Sequence, residues 1–311
     1  MIKEKNPNFK GIWAKYSKYE IIENNNEFYI KPTKKSESQI YDVFDKEKEI
    51  LVDFLMLGKK AYDYKDKNDV NCILMSKEKS FQTEVLNFVN KYGMLGILTL
   101  GLKNNNILSA GKAIIQQSNE VTELTPNDYI KPYFITNKDI QKTDFNNGIT
   151  PDVLNVYGSK NPVNEGYIDF SKNEDFKLVF SNEYSEKVSE ILLLAKSLYH
   201  IFYLVEKAGW TEDEAQKIAY ESFAKDFIPT NLSFEFSFME EKRFLNWDFN
   251  SLFQAIELIF AFNETNDRKE LKMCKHCSKP FIAKNIKADY DTISCRNVEN
   301  VYRNRAKKKN A

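Results

Sequence analysis

Three of the chain's four cysteines, Cys274, Cys277 and Cys295, fall between positions 274 and 295, while Cys72 stands alone. Four cysteines in 311 residues are no disulfide framework, a device of small secreted domains that lack a sufficient core. Clustered cysteines in a reducing compartment point to a metal instead. In Cys274-Lys-His-Cys277 the two sulfurs converge on one ion while backbone N–H groups support the thiolates. Zinc takes four such ligands in a tetrahedron. Cys295 is a third, and spacing alone leaves the fourth open. The chain is thus expected to end in a small crosslinked module, over residues 271–311.

Charge sets the same segment apart. The whole chain holds 45 basic and 45 acidic residues, yet from Arg268 onward there are 13 basic against 4 acidic. The end carries a surplus of nine positive charges, and the rest carries the matching negative one. A basic tail on an acidic body either seeks phosphate or folds back on its own body. After Cys295 the spacing predicts a helix. Arg296, Asn300, Arg303 and Lys307 share one side, Arg305, Lys308 and Lys309 add charge, and Val298, Val301 and Tyr302 are placed to face back toward the finger. The nucleic-acid-binding candidates are therefore Arg296, Arg303, Arg305, Lys307, Lys308 and Lys309.

The chain as a whole, rich in Phe (23) and Tyr (17) and poor in Gly (10) and Pro (8), has the composition of one that buries a sizeable core. The first 35 residues read as aromatic strands with a turn at Asn24-Asn25-Asn26, and 27–31 has strand composition. Over 40–57, Val43, Ile50, Leu51, Phe54 and Leu55 fall on one helical face, with Gly58 as the expected stop. A second helix follows Ser80, carries Phe81, Val85, Phe88, Val89 and Tyr92, and ends at Gly93. Residues 129–135 and 175–180 read as strands around a polar stretch, 136–166, that suggests a boundary.

From Tyr184 the period is helical again. Val188, Ile191, Leu192, Ala195, Leu198, Phe202 and Val205 line one face and Gly209 closes it. Thr211-Glu-Asp-Glu214 matches a capping box opening a further helix to about residue 226. Leu232, Phe234, Phe236 and Phe238 alternate as a half-buried strand. Leu252, Ala255, Ile256, Ile259 and Phe260 form an amphipathic helix leading into the cysteines. The expected fold is α+β, with a mixed domain over 1–180, a helical region with one strand over 181–270, and the finger-like module.

The segment Tyr290-Asp291-Thr292-Ile293-Ser294-Cys295-Arg296-Asn297, together with the upstream knuckle and Phe281, resembles the zinc fingers of bacterial and phage-borne proteins of the CGNR type. The resemblance covers about the last 60 residues. It sets Asp291 where the family has cysteine, Thr292 where it has serine, and Val298 where an arginine completes the family's motif. It implies a zinc site of Cys274, Cys277, Asp291 and Cys295, with His276 as the other candidate for the fourth place. A ring inside the knuckle should point away from the shared ion. The contrasting expectation is a degenerate finger held by Phe281, Ile282, Tyr290 and Val298 without metal. The resemblance also implies a phosphate-contacting role for the basic helix.

Several classes of chemistry find no support in the residues. Ser109-Ala-Gly-Lys112 lacks the upstream glycine and the hydroxyl of a phosphate loop, and no Gly-x-Ser-x-Gly elbow occurs. Only His200 and His276 exist; His200, in an apolar helix, reads as a core residue, and Cys72 as buried and inert. The N-terminus lacks the apolar run of a signal peptide, and the apolar stretches 191–205 and 252–262 fall short of the roughly 20 residues a membrane span needs, so a cytoplasmic protein that engages no membrane is expected. The expected function is binding of DNA or RNA. The alternatives are a protein-interaction module with a purely structural finger, and a metal-dependent nuclease or toxin with carboxylates in the middle region.

Overall fold

Alternating aromatic and polar residues near the N-terminus pair as strands because period-2 spacing puts one apolar face on a core. The computed structural model describes residues 9–24, 26–64, 72–97, 113–117, 120–124, 130–134, 176–180, 185–218, 233–239, 242–248, 251–266, 270–283, 285 and 287–309. Strands β1 (Phe9–Lys10), β2 (Ile12–Tyr16), β3 (Tyr19–Asn24), β4 (Glu27–Pro32) and β5 (Ser38–Asp42) come first. β3 and β4 form the expected hairpin, with Asn26 at φ 62° in its turn, a left-handed conformation that asparagine tolerates. β2 pairs antiparallel with β5.

Helices α1 (Glu47–Asp63), α2 (Cys72–Lys77) and α3 (Lys79–Tyr92) follow. Val43, Ile50, Leu51, Phe54 and Leu55 are all buried. The expected stop at Gly58 is wrong: α1 runs through it. A Cβ there would overlap the Ala195 carbonyl and lie 2.7 Å from the Tyr199 Cβ, so this glycine lets two helices touch rather than ending one. Gly93 does end α3, at φ 93°, with its N–H on the Val89 carbonyl at 2.7 Å.

Two hairpins come next, β6 (Ala113–Gln117) with β7 (Glu120–Leu124), and β8 (Ile130–Phe134) with β9 (Phe176–Phe180). The last two match the strands expected at 129–135 and 175–180. The proposed boundary at 136–166 and the Ser109–Lys112 segment lie outside the described residues, as do most of the middle-region carboxylates. β10 (Glu186–Lys187) then joins β4 and leads into α4 (Val188–Ala208).

α4 packs along α1 and, with α5 (Leu252–Thr265), forms the centre of one continuous core. α4 is long and apolar enough to cross a membrane, but Val188, Ile191, Leu192, Ala195, Leu198 and Phe202 are fully or almost fully buried in that core, as the helical period anticipates. Tyr199, Tyr62 and Phe202 pack as a ring cluster around the crossing. His200 departs from its expected core position. It is exposed and stacks on Tyr62 at 5.7 Å, and partial burial, then Lys196, lower its pKa.

The capping box at Thr211 is replaced by a neighbouring cap. Asp213 Oδ1 accepts from the N–H groups of Ala215 and Gln216 at 3.0 and 3.2 Å, while Thr211 Oγ1 accepts from Asp213 N. The carboxylate, two residues closer to the helix, reaches its first free N–H groups and is favoured at the positive end of the helix dipole. β11 (Ser233–Met239) pairs antiparallel with β12 (Lys242–Asp248), and β1 adds in parallel on the far side of β12. β12 follows the alternating strand directly and was not marked by the sequence pattern. α5 is also not amphipathic: every residue from Leu252 to Phe260 is buried, Gln254 and Glu257 included. Ser251 caps it through Oγ at 3.1 Å from Gln254 N.

A buried carboxylate closes the core. Glu186, 3% exposed, accepts from the N–H groups of Leu95, Gly96 and Ile97 at 2.8, 2.6 and 2.9 Å. These three donors follow α3 and have no helical acceptor, so the carboxylate at the head of α4 satisfies a turn that would otherwise bury bare N–H groups.

Candidate metal centre

Residues 271–273 alternate inward and outward, so Leu271 and Met273 enter the core at 1% exposure. They form β13 (Leu271–Met273), which pairs antiparallel with β14 (Pro280–Ile282). Four polar ties fix this short hairpin to the helices beneath. Leu271 N donates to Asn263 Oδ1 of α5 at 3.2 Å, and Met273 N to the buried Glu206 of α4 at 3.0 Å. Tyr199 Oη donates to the Ser278 carbonyl at 2.7 Å, and Lys48 of α1 pairs with Glu270.

The knuckle turns between the two strands. Cys274 N donates to the Lys279 carbonyl at 2.9 Å and Ser278 N to the Cys274 carbonyl at 2.8 Å, with Ser278 at φ 57°. A second segment closes over it. Lys275 N donates to the Asp289 carbonyl at 3.0 Å, and Lys275 Nζ pairs with the Asp289 carboxylate at 3.2 Å. Thr292 then caps the final helix, α6 (Ile293–Lys309), its Oγ1 accepting from Cys295 N at 3.2 Å. A hydroxyl accepting the third N–H of a helix is a standard N-cap. Here it also aims the Cys295 side chain at the knuckle.

These turns bring together the four side chains expected from the sequence: Cys274, Cys277, Asp291 and Cys295. One ligand atom from each lies within 4.8 Å of every other, a group able to hold a metal ion. Cys274 Sγ is 3.3 Å from Asp291 Oδ1, Cys277 Sγ is 3.9 Å from Oδ2, and the sulfurs of Cys277 and Cys295 are 3.8 Å apart. That last separation is far beyond a disulfide bond; all four cysteines are free. Burial, with the Cys274 and Cys295 sulfurs adding, pushes the Cys277 thiol up to about 12. Burial also raises the Asp291 carboxyl, but hydrogen bonds from Cys295, Cys274 and Thr292 outweigh it and hold the carboxyl below its ordinary range. Thiols that keep their protons around an ionised carboxylate are what a cation would convert to thiolates.

His276 lies outside this group. Its Nδ1 faces Glu299 of α6 at 3.4 Å and its ring stacks on Tyr302 at 6.0 Å. The knuckle histidine thus points away from the sulfurs, as its position inside the turn requires, and braces the helix instead. Val298 and Val301 do not face back toward the finger: they are 36% and 46% exposed. Tyr302 reaches only His276 and stays 55% exposed. The helix meets the finger through Cys295, Glu299 and Tyr302, leaving its valines in solvent, so Val298 takes no part in packing the module. Arg296, Arg305 and Lys308 are exposed, as is Arg303, which pairs with Glu299 at 3.6 Å. The side chains of Lys307 and Lys309 lie outside the described residues. Cys72 is buried, and burial raises its thiol pKa.

Comparison of the chain with protein-family models, with curated proteins and with solved structures finds no match in any of the three.

Proposed function

We propose that this protein binds nucleic acid through α6, and that a zinc ion at Cys274, Cys277, Asp291 and Cys295 fixes that helix to the body. The observation that carries the reading is the position of Cys295. It sits in the first turn of a helix whose described cations are exposed, and an ion bound there would be shared with a knuckle hairpin tied to α1, α4 and α5. Metal binding therefore orients a basic rod. The resemblance of this segment to CGNR-type fingers supports the same reading, as does the surplus of positive charge after Arg268.

The geometry favours zinc. Tetrahedral zinc with Zn–S near 2.3 Å and Zn–O near 2.0 Å has S···S edges of about 3.8 Å and S···O edges of about 3.5 Å. Here the sulfurs of Cys277 and Cys295 are 3.8 Å apart, Cys274 Sγ is 3.3 Å from Asp291 Oδ1 and Cys277 Sγ 3.9 Å from Oδ2, within a donor set that spans no more than 4.8 Å and would contract around an ion. Three thiolates and one carboxylate leave no open position, which makes the ion structural rather than catalytic. A cytoplasmic setting, where thiols stay reduced, suits such a site.

The test is fluorescence anisotropy of zinc-loaded full-length protein with labelled duplex DNA and RNA across a salt series. Contact of four cations with phosphates gives a log–log slope of about −3.6 on duplex DNA, a loss of roughly a hundredfold between 50 and 200 mM salt. Reversing Arg296 and Arg305 to Glu should abolish binding. Absence of retardation at low salt, with no effect of removing residues 296–311, overturns the reading. A second reading, a protein-docking helix on a structural finger, is favoured by the exposed Val298, Val301 and Tyr302. It requires a stoichiometric partner that is lost when these three become Ser, with no salt-dependent binding of polynucleotides.

A further inference from the structure

The basic residues account for attraction to phosphate, but not for the face of α6 that points farthest from the finger. Cys295 turned to the metal donors, Glu299 facing His276 and Tyr302 stacked on it mark the inward side. At about 100° per residue, the opposite side carries Asn297, Asn300 and Asn304, which fall within about 60° of one another, with Val301 beside them. All four are exposed. Arg296 and Arg305 fall about 80–100° to either side of this row, and both are exposed.

We propose that this face enters the major groove of duplex DNA and reads adenine-containing sequence through Asn297, Asn300 and Asn304. The inference rests on the nucleic-acid reading above and adds the substrate class and the reading residues. The asparagine amide offers a donor and an acceptor side by side, the complement of adenine N7 and N6–H₂ in the major groove, and an apolar side chain such as Val301 suits the thymine methyl. The row spans about 10.5 Å along the helix, seven residues at about 1.5 Å each, which matches three base-pair steps of about 3.4 Å. Arg296 and Arg305 flank the row on its two sides, where the groove walls carry phosphates, and the exposed Lys308, within about 20° of Asn297, continues the row with a cation one turn beyond Asn304. Duplex RNA is disfavoured as the target because its major groove is too deep and narrow for side chains to read. The helix is free to insert, since beyond Glu299 every side chain described up to Arg305 is exposed, and so is Lys308.

The experiment is selection of zinc-loaded full-length protein on a random-core duplex DNA library, followed by affinities for the enriched duplex, a scrambled duplex and an RNA duplex of the same sequence. The expected result is an enriched site with adenines at two or three successive steps. Asn300→Ala and Asn304→Ala should each lower affinity for it about tenfold while leaving the scrambled duplex and the salt slope unchanged. Both substitutions are at exposed positions and favour helix, so circular dichroism should show the fold intact. Binding to duplex DNA without enrichment, enrichment indifferent to both substitutions, or equal affinity for the RNA duplex overturns this inference while the nucleic-acid reading stands. Failure to bind any polynucleotide removes both.

Discussion

The helical body and the C-terminal module hold together by opposite means. In the body, α1, α4 and α5 bury aromatic and aliphatic side chains against each other, with Phe54, Phe202 and Phe260 at 2% exposure or less. Buried polar groups in it serve the backbone, as Glu186 does for the turn after α3. In the module, by contrast, the buried apolar side chains among the described residues are those of Leu271, Met273, Cys274, Pro280 and Ala283. The rest is organised by hydrogen bonds, a set of metal donors and the His276–Glu299–Tyr302 contact. Burial scales with area and protects the body whatever its ligands. A module too small to bury area depends on a few directional bonds, and can therefore present a helix that is almost wholly in solvent.

The sharpest test of this contrast is at the helix crossing. Gly58→Val should destabilise the whole protein by about 3 kcal/mol or prevent folding, because the added carbons collide with α4 backbone; urea unfolding measures it. Glu186→Ala should cost about 3 kcal/mol, since it strands three buried N–H groups, and should appear in the same unfolding curve without touching metal content. Asp291→Ala addresses the other region. Zinc affinity should fall by more than about a hundredfold, the upper end for losing even an outer-shell partner. Limited trypsin digestion should then cut within α6 while the body survives. Loss of the body along with α6 would show that the two regions are not energetically separate.

Tyr199→Phe sits on the seam between them. It removes the hydrogen bond to the Ser278 carbonyl, at about 1 kcal/mol, and should speed zinc release to a chelator with little change in the body. The smallest expected effect is a pH dependence at His200. Its folded pKa is lowered, so the unfolded chain takes up the proton first. The stability it contributes is complete above about 6.5, the ordinary value, and is lost as pH falls below that toward the depressed native value. His200→Phe should flatten that part of the stability–pH profile. An unchanged profile would mean that the stack on Tyr62 carries no linkage.

Periodicity made the helices legible. α3 and α4 lie where apolar spacing puts them, and the alternating phenylalanines at 234–238 lie in a strand. The positions that misled share a cause. Gly58 carries a local stop signal, yet its role is set by α4 nearly 140 residues away. Thr211 lost its cap to Asp213 because the helix opens two residues later than the local signal suggests, which leaves the first free helical N–H groups within reach of Asp213. His200 lies in an apolar helix but on its outer side. α5 looked one-sided because Gln254 and Glu257 are polar, although both are buried.

Residue type and spacing determined the α+β class, the segregation of charge, and three of the donors, Cys274, Cys277 and Cys295, because metal-ligand chemistry admits few side chains; Asp291 as the fourth came from the resemblance, since spacing alone leaves that place open. Only the tertiary structure decided that the hairpin bearing two of those donors belongs to the main core, that His276, already expected to turn away from the donors, meets Glu299 and Tyr302 of α6, and that Val298 and Val301 face solvent. Each of these depends on which surface another element leaves free. A sequence encodes that through contacts between distant residues, so local periodicity does not report it.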